Sequence, residues 1–270
     1  MTVAFVVVPE WQASGSSRAM RLVDGAAAIC EDLPVASTRV VDVPLEAGDA
    51  LGTAVHRMSS IALVRDRLTQ TLRGIADTPI TIGGDCGVEL GAIGHALERR
   101  PDAAVVWFDA HPDLNTPQSS PSGDFNGMVL RALLGDCEAG LVPPVALAPE
   151  RLVLVGARSF DPPEQAFIAE RGIPVLGDDP VALVAAVAAT GATTVYVHID
   201  LDVLDPGEFS GLDSPEPFGL TPTALIAQLD ALRERFELVG AGITEFAPAS
   251  AEAAVDDLPT ILRIVAALAR

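Results

Sequence analysis

The sequence predicts an α/β protein whose three α/β/α layers are built around a mostly parallel sheet of about eight strands. Strand-like apolar runs alternate with amphipathic or alanine-rich segments along the chain, which is the pattern of repeated βαβ units. Three of these runs end in aspartate-rich clusters, as expected where parallel strands open onto a ligand crevice. With 270 residues and 49% hydrophobic content, the chain can bury a large core, and we expect residues 1–270 to form a single domain.

Eight runs are predicted as strands and five segments as helices. The predicted strands lie near residues 3–8, 38–43, 78–82, 103–108, 151–155, 173–176, 193–199 and 236–243. The runs that precede the aspartate clusters lack alternation, which is typical of strands covered on both faces. The predicted helices cover residues 53–75, 88–100, 162–171, 180–189 and about 257–269. Two segments rich in proline, glycine and serine, 112–127 and 204–222, directly follow aspartate clusters and are predicted as functional loops.

The charge composition limits the partners that this chain can bind. A formal net charge of −20 argues against nucleic acid and anionic membrane surfaces, since both require cationic protein surface. All 17 basic residues are arginine. The lack of lysine excludes a P-loop lysine, a Schiff base and a pyridoxal-phosphate site. The one glycine-rich turn, at residues 83–87, lacks the GxGxxG spacing of a dinucleotide site.

The cysteine content and the hydropathy favour a cytoplasmic protein. Cys30, Cys86 and Cys137 are an odd and sparse set, so no disulfide framework is predicted and a reducing compartment is expected. No apolar stretch is long enough to span a bilayer, and the first residues lack the basic segment of a signal peptide. We therefore expect a small-molecule partner and no membrane.

The aspartate clusters predict a metal centre. They occupy residues 83–86, 109–113 and 200–202. In an extended segment, residues i and i+2 share a face, so Asp109 can act with His111, and Asp200 with Asp202. Buried carboxylates need compensating cations, and a pair of divalent metals such as Mn²⁺ suits carboxylates with one imidazole. For either cluster alone, solvated loop acids or helix caps are the alternative. For His198, a structural hydrogen bond is the favoured interpretation.

The same clusters resemble the signatures of the arginase, or ureohydrolase, family of binuclear manganese amidinohydrolases. The family motifs GGDHS, DAHxD and DxDxxDP are similar to GGDC at 83–86, DAHPD at 109–113 and DLDVLDP at 200–206. The resemblance covers nearly the whole chain and implies an arginase-like fold with two Mn²⁺ ions. It implies that Cys86, Asp109, Asp113 and Asp200 hold one ion. Asp109, His111, Asp200 and Asp202 would hold the other, with Asp109 and Asp200 bridging.

Three further segments resemble the part of arginase that binds an amino-acid head group. DLNTP at 113–117 is similar to DINTP, which implies that Asn115 binds an α-carboxylate. SGDFNG at 122–127 is similar to SGNLHG, which implies that Ser122 binds the carboxylate and that Asp124 replaces a binding asparagine. GARSFDPPE at 156–164 is similar to GLRDVDPGE, which implies that Asp161 and Glu164 bind the α-ammonium. The alternatives are an acidic first helical turn for the last pair and ordinary loop chemistry for Asn115 and Ser122.

The resemblance also implies catalytic roles. TEFAP at 244–248 is similar to MEVNP, which implies that Glu245 holds the guanidinium-type group, and Asp113 would take the proton of the attacking hydroxide. Two positions depart from the family pattern. Cys86 replaces a metal-binding histidine, and a thiolate there would lower the Lewis acidity of the metal; alternatively, Cys86 is a bystander and one metal is weak or missing. Asn126 replaces the catalytic histidine and cannot shuttle protons near neutrality.

These two departures predict a modified substrate. An N-hydroxylated guanidine is less basic than arginine and carries its own exchangeable proton. We therefore expect hydrolysis of Nω-hydroxy-L-arginine to hydroxyurea and L-ornithine, as in the members of the family that serve antibiotic biosynthesis. The alternatives are arginase proper, formiminoglutamase or another guanidino-substrate ureohydrolase, and a non-catalytic regulator that binds metal and arginine. Family members often form trimers or hexamers, so a homo-oligomer is expected from the resemblance alone.

Overall fold

The computed structural model describes residues 2–270. In this range the strands are β1 (Val3–Val8), β2 (Thr38–Val40), β3 (Thr78–Gly83), β4 (Ala104–Phe108), β5 (Leu152–Val155), β6 (Val175–Leu176), β7 (Thr194–Asp200) and β8 (Glu237–Thr244). They form one sheet in the order β2-β1-β3-β8-β7-β4-β5-β6, and each pair of neighbours runs parallel. The prediction of a mostly parallel sheet of about eight strands is confirmed.

Helices cover both faces of this sheet. They are α1 (Met20–Glu31), α2 (Met58–Arg73), α3 (Glu89–Arg99), α4 (Val129–Leu133), α5 (Pro162–Arg171), α6 (Pro180–Ala189), α7 (Pro222–Arg235) and α8 (Ala251–Ala269). The apolar core on one face includes residues of α1, α6, α7 and α8. The core on the other face includes residues of α2, α3, α4 and α5. The three-layer α/β/α architecture is therefore confirmed.

Strand β4 shows why the central strands are apolar on both faces. Ala104, Val106 and Phe108 lie in one core, whereas Val105 and Trp107 lie in the other. Because helices cover both sides, successive side chains are buried alternately above and below the sheet. The sequence then reads as an unbroken apolar run.

Several helix boundaries differ from the predicted ones. The helices named from the sequence do not include α1, α4 and α7. Helix α2 begins at Met58 rather than near residue 53, because Arg57 adopts a left-handed backbone conformation with φ of 55° and interrupts the helical path. Helix α8 begins at Ala251 rather than near residue 257. The Ser250 side chain accepts a hydrogen bond from the Ala253 N–H and caps this earlier start.

The sheet order sets the position of the candidate site. β3, β8, β7 and β4 are consecutive neighbours in the middle of the sheet, and their carboxyl ends open at the same edge. The clusters that follow these strands therefore meet over the centre of the molecule. Among residues 2–270, none of the helices combines the length and the apolar character needed to cross a membrane.

Candidate metal centre and active site

Side chains from the ends of the four central strands line or underlie one crevice with a volume of about 160 Å³. Cys86 follows β3, Asp109 follows β4, Asp200 ends β7, and Glu245 follows β8. Each of these four residues is at most 4% exposed. The strand ends thus bring together donor groups that are far apart in the sequence.

The first donor group consists of Cys86, Asp200 and Glu245. Their sulfur and carboxylate oxygens lie within 4.8 Å of one another. Cys86 Sγ is 3.2 Å from Asp200 Oδ2, and the Cys86 N–H donates to Glu245 Oε1 at 3.1 Å. The turn that presents Cys86 requires Gly84, because a Cβ at that position would lie 1.7 Å from the carbonyl oxygen of Glu10.

The second donor group consists of Asp109, His111 and Asp202. His111 Nδ1 lies 2.9 Å from Asp202 Oδ2 and 3.6 Å from Asp109 Oδ1. Neighbouring donors hold the carboxylates in place. The indole N–H of Trp107 donates to Asp109 Oδ2 at 2.9 Å, and the Ala110 N–H donates to Asp202 Oδ1 at 2.9 Å. The three donors are therefore oriented by the surrounding protein.

Asp113 and Glu245 share an unusual backbone conformation. Their φ angles are 52° and 65°, in the left-handed region, which costs a residue other than glycine roughly 1–3 kcal/mol. The backbone is held there by hydrogen bonds, from the Glu245 N–H to the Gly84 carbonyl at 2.7 Å and from the Arg131 N–H to the Asp113 carbonyl at 3.1 Å. Such strain is concentrated at functional sites, and both side chains line the crevice.

The electrostatics of the crevice show an excess of buried acid. Burial, followed by the charge of Asp202, raises the pKa of Asp109 to about 6. Burial and neighbouring acids also raise the pKa values of Asp113, Asp200 and Glu245 well above the ordinary range. These carboxyls therefore cannot all be ionised unless positive charge is added.

The two carboxylates beside His111 favour its protonated form. Although burial opposes protonation, hydrogen bonds with Asp109 and Asp202 raise the pKa of His111 to about 12. Burial would raise the pKa of Asp202, but the hydrogen bond and charge of His111 lower it. Positive charge on His111 would offset part of the charge of these two carboxylates, as a divalent cation would do.

The donor set fits two divalent metal ions. Each group offers three buried or half-buried donor atoms within coordination reach of one another, and Asp113 adds a further carboxylate to the crevice. Carboxylates with one imidazole and one thiol suit hard-to-borderline ions. Bound cations would permit the acids to be ionised together, which burial otherwise prevents.

Four of the five residues predicted to bind an amino-acid head group line the crevice. Asn115 Nδ2 donates to Asp161 Oδ2 at 2.8 Å. Glu164 accepts from the backbone N–H groups of Leu114 and Asp161 at 2.9 and 2.8 Å, and Asp161 with Glu164 forms a capping box on α5. Asp161 and Glu164 therefore cap a helix and line the crevice at once. The two interpretations of the sequence are compatible.

Ser122 and Asn126 also line the crevice, whereas Asp124 does not. The Asp124 carboxylate lies 3.1 Å from His56 Nδ1. It also packs against Gly15, where a Cβ would lie 1.8 Å from Asp124 Oδ2. The Asp124 carboxylate is therefore in contact with His56 and Gly15. Of the residues predicted from the sequence to bind the substrate, Asp124 alone is not brought to the crevice.

Some crevice residues carried no clear sequence signal. Ser120, Pro121 and Ser214 line the crevice, and Glu216 Oε1 lies 3.8 Å from His111 Nε2. Their location in the two predicted loops was the only indication, because serine and proline are ordinary in loops. His198 is fully buried, and its Nδ1 lies 3.1 Å from Glu89 Oε1.

A parallel α/β sheet that carries two acidic donor groups at the carboxyl ends of its central strands defines a candidate metallohydrolase. The Arginase family model matches residues 12–267. The chain belongs to the arginase family, whose members depend on a binuclear metal centre and hydrolyse the C–N bonds of amidines. It is a hydrolase of this class.

Individual relatives agree with this assignment. The chain is 32% identical over 208 residues to the N(omega)-hydroxy-L-arginine amidinohydrolase of Streptomyces lavendulae, covering 77% of this chain and 74% of that one. It is 28% identical over 227 residues to the arginase of Bacillus caldovelox, covering 77% and 76%. The crystal structure of Entamoeba histolytica arginase in complex with L-ornithine superposes with a TM-score of 0.86 at 24% identity, covering 98% and 97%.

Proposed function

We propose that this chain is a binuclear manganese amidinohydrolase that converts Nω-hydroxy-L-arginine to hydroxyurea and L-ornithine. The observation that carries the proposal is the position of Asn126, which lines the crevice where the family motif has its catalytic histidine. Within residues 2–270, His111 is the one imidazole that lines the crevice, and it belongs to a donor group. The similarity to the amidinohydrolase of Streptomyces lavendulae supports the same substrate.

The chemistry of the substrate explains why this crevice can lack the histidine. Expulsion of an amine from arginine benefits from a general acid, and such an acid contributes about 10²–10⁴-fold in rate. Asparagine cannot take this role, because its amide does not titrate near neutral pH. A guanidine with an N-hydroxyl group is less basic and carries an exchangeable proton beside the reacting carbon. It therefore depends less on an acid from the protein.

We assign the metal sites from the donor geometry and the family resemblance. Cys86, Asp109, Asp113 and Asp200 would hold one ion, and Asp109, His111, Asp200 and Asp202 the other. Asp109 and Asp200 would be shared. When bound, the metal pair would lower the pKa of water so that it becomes a nucleophile near neutral pH.

The remaining steps belong to side chains of this chain. Asp113 lies in the crevice beside both donor groups and would accept the proton of the attacking water. Glu245, with one oxygen already bound to the Cys86 N–H, would hold the guanidinium-type group so that its central carbon faces the nucleophile. Asn115, Ser122 and Asp161 would bind the amino-acid head group, and Glu164 would hold Asp161 and the backbone of residue 114 in place.

Product analysis with Mn²⁺-loaded protein tests this proposal. Incubation with Nω-hydroxy-L-arginine should release hydroxyurea and L-ornithine in equal amounts, and Asp113→Asn should abolish both. Agmatine should be a poor substrate because it lacks the carboxylate that Asn115 and Ser122 are proposed to bind. Release of urea from arginine with equal efficiency would instead identify arginase proper. Binding of both compounds without turnover would identify a regulator.

A further inference from the structure

A buried row of three side chains leads from the crevice into the layer of α2, α3 and α4. Its members are Cys86, His198 and Glu89. Cys86 Sγ lies 3.7 Å from His198 Nε2, and His198 Nδ1 lies 3.1 Å from Glu89 Oε1. Both His198 and Glu89 are fully buried. The two nitrogens of one imidazole ring thus face a carboxylate on one side and the sulfur on the other.

The sheet is shaped to hold this row. Trp107, His198 and Gly242 occupy matching positions on the adjacent strands β4, β7 and β8. The Trp107 and His198 rings stack with centroids 3.6 Å apart. A Cβ at Gly242 would lie 1.5 Å from Glu89 Oε1, so only glycine leaves room for the carboxylate. Each side of the imidazole is therefore constrained by a specific neighbour.

The sulfur and the carboxylate come from one short segment of chain. Cys86 opens the 3₁₀ turn Cys86–Val88, and Glu89 is the first residue of α3. They sit about one turn apart, and the His198 ring from β7 contacts both. Rotation of the Cys86 side chain would change its contact with His198 Nε2, and the ring itself is held by Glu89 and by the stacked Trp107.

We infer that His198, oriented by Glu89, is a positioning residue that directs the Cys86 sulfur toward the metal centre. This inference rests on the proposed role of Cys86 as a metal ligand. Metal-binding side chains are commonly oriented by hydrogen-bonding partners behind them, and loss of such a partner typically weakens metal affinity by about 10–100-fold. His198 and Glu89 would thus add to the contacts that Cys86 Sγ makes with Asp200 Oδ2 and Thr244 Oγ1, each at 3.2 Å.

Cobalt substitution tests the inference without an activity assay. The purified protein would be titrated with Co²⁺, and thiolate-to-cobalt charge-transfer absorption would report the ion bound to Cys86. Cys86→Ser lacks the sulfur and is the negative control for this absorption band. The test variants are His198→Gln and the double variant Glu89→Leu/His198→Phe, in which an apolar pair avoids an unpaired buried carboxylate. His95→Gln is the matched control, because His95 is a buried histidine of α3 that does not line the crevice.

The inference predicts that both test variants bind Co²⁺ at this site about 10–100-fold more weakly than wild type. Their absorption band should shift, and Cys86 in cobalt-loaded protein should be alkylated faster. His95→Gln should match wild type. Wild-type affinity and an unshifted band in a folded test variant would overturn the inference alone. Absence of a thiolate band in wild type would instead remove Cys86 from the proposed metal sites and overturn the inference with that assignment, whereas the proposed hydrolysis, which rests on Asn126, would stand.

X-ray absorption at the cobalt edge separates positioning from direct coordination. Cys86, Asp109 and His198 also offer three donor atoms within 4.8 Å of one another. The inference predicts one imidazole, that of His111, for each pair of ions. A second imidazole, lost in His198→Gln, would make His198 a ligand and would overturn the positioning role.

Discussion

At the scale of single residues, the chain differs from the family motifs at two of the three positions where those motifs carry histidine, and the third is kept as His111. Cys86 contributes a thiol to the first donor group, and burial and nearby acids raise its pKa well above the ordinary value. Ionisation of that thiol therefore requires a cation beside it. Asn126 lines the crevice without a titratable group. Both changes alter the chemistry of the site while the carboxylates around them remain.

Replacement of the thiol should move the substrate preference. Cys86→His would restore a neutral ligand, so the bound metal should become the stronger Lewis acid. We expect the variant to keep two metals per chain and to show a larger kcat/KM for arginine relative to hydroxyarginine than wild type. Elemental analysis and steady-state kinetics measure both quantities. An unchanged ratio with both metals present would contradict a role for the sulfur in selectivity.

The structure also predicts different outcomes for two acidic residues of the substrate region. Asp161→Ala should mainly raise KM for hydroxyarginine, because a head-group contact acts equally in the ground state and the transition state. Asp124→Ala removes a carboxylate that lies 3.1 Å from His56 Nδ1 and does not line the crevice. Its KM should stay near that of wild type. A large rise in KM for Asp124→Ala alone would contradict this placement.

At the scale of elements, the sequence predicts strands better than it predicts loops. The central strands are apolar on both faces because helices cover both sides of the sheet. This pattern, with a polar cluster after each strand, locates Cys86, Asp109, Asp200 and Glu245 at one edge. The direction of a loop side chain has no such periodicity. The sequence therefore does not distinguish Asp124 from Ser122, but the Asp124 carboxylate lies 3.1 Å from His56.

The path of loop 204–221 could not be predicted from sequence patterns. Its path depends on Arg158, whose guanidinium donates to the carbonyls of Asp202, Glu216 and Pro217 at 2.8, 2.9 and 3.0 Å. These contacts join the segment that follows β5 to a distant loop, in which Ser214 lines the crevice and Glu216 lies beside His111. These contacts join residues that are distant in the sequence, so they are known only from the folded structure.

Removal of the Arg158 guanidinium should make loop 204–221 less ordered. Arg158→Met keeps the aliphatic stem but loses several hydrogen bonds of a charged donor, each worth about 1.5–3 kcal/mol. We expect a lower free energy of unfolding, a higher KM and faster proteolysis within residues 204–221. Arg171→Met, at a half-exposed arginine of α5, is the control. Equal rates of proteolysis within residues 204–221 in the two variants would contradict the role of Arg158 in holding this loop.

At the scale of the whole molecule, buried acid couples metal binding to pH. Burial is the main cause that raises the pKa values of Asp85 and Asp109 to about 6, above the value of about 3.9 in an unfolded chain. The protonated acids therefore stabilise the fold fully below about pH 4, and this contribution is lost as the pH rises through about 6. Metal binding needs the ionised form of Asp109, so it should strengthen over the same interval.

Thermal unfolding with and without Mn²⁺ measures this coupling. Without metal, the unfolding midpoint should fall as the pH rises from about 4 to about 6 through the contribution of these two acids. The increase in the unfolding midpoint caused by Mn²⁺ should grow over the same range, because fewer protons then compete with the cation for the ligand carboxylates. An equal increase in midpoint caused by Mn²⁺ at about pH 5 and about pH 7 would contradict a metal centre that contains Asp109.

The most direct test of the proposed function is the ratio of kcat/KM for Nω-hydroxy-L-arginine to that for L-arginine. It should be measured in the Mn²⁺-loaded wild type and in Asn126→His. We predict a wild-type ratio of at least ~100, about the contribution of one general acid. The variant should show a smaller ratio, because a histidine would assist cleavage of arginine. A wild-type ratio near unity, left unchanged by Asn126→His, would contradict the proposal that this crevice is built for a hydroxylated substrate.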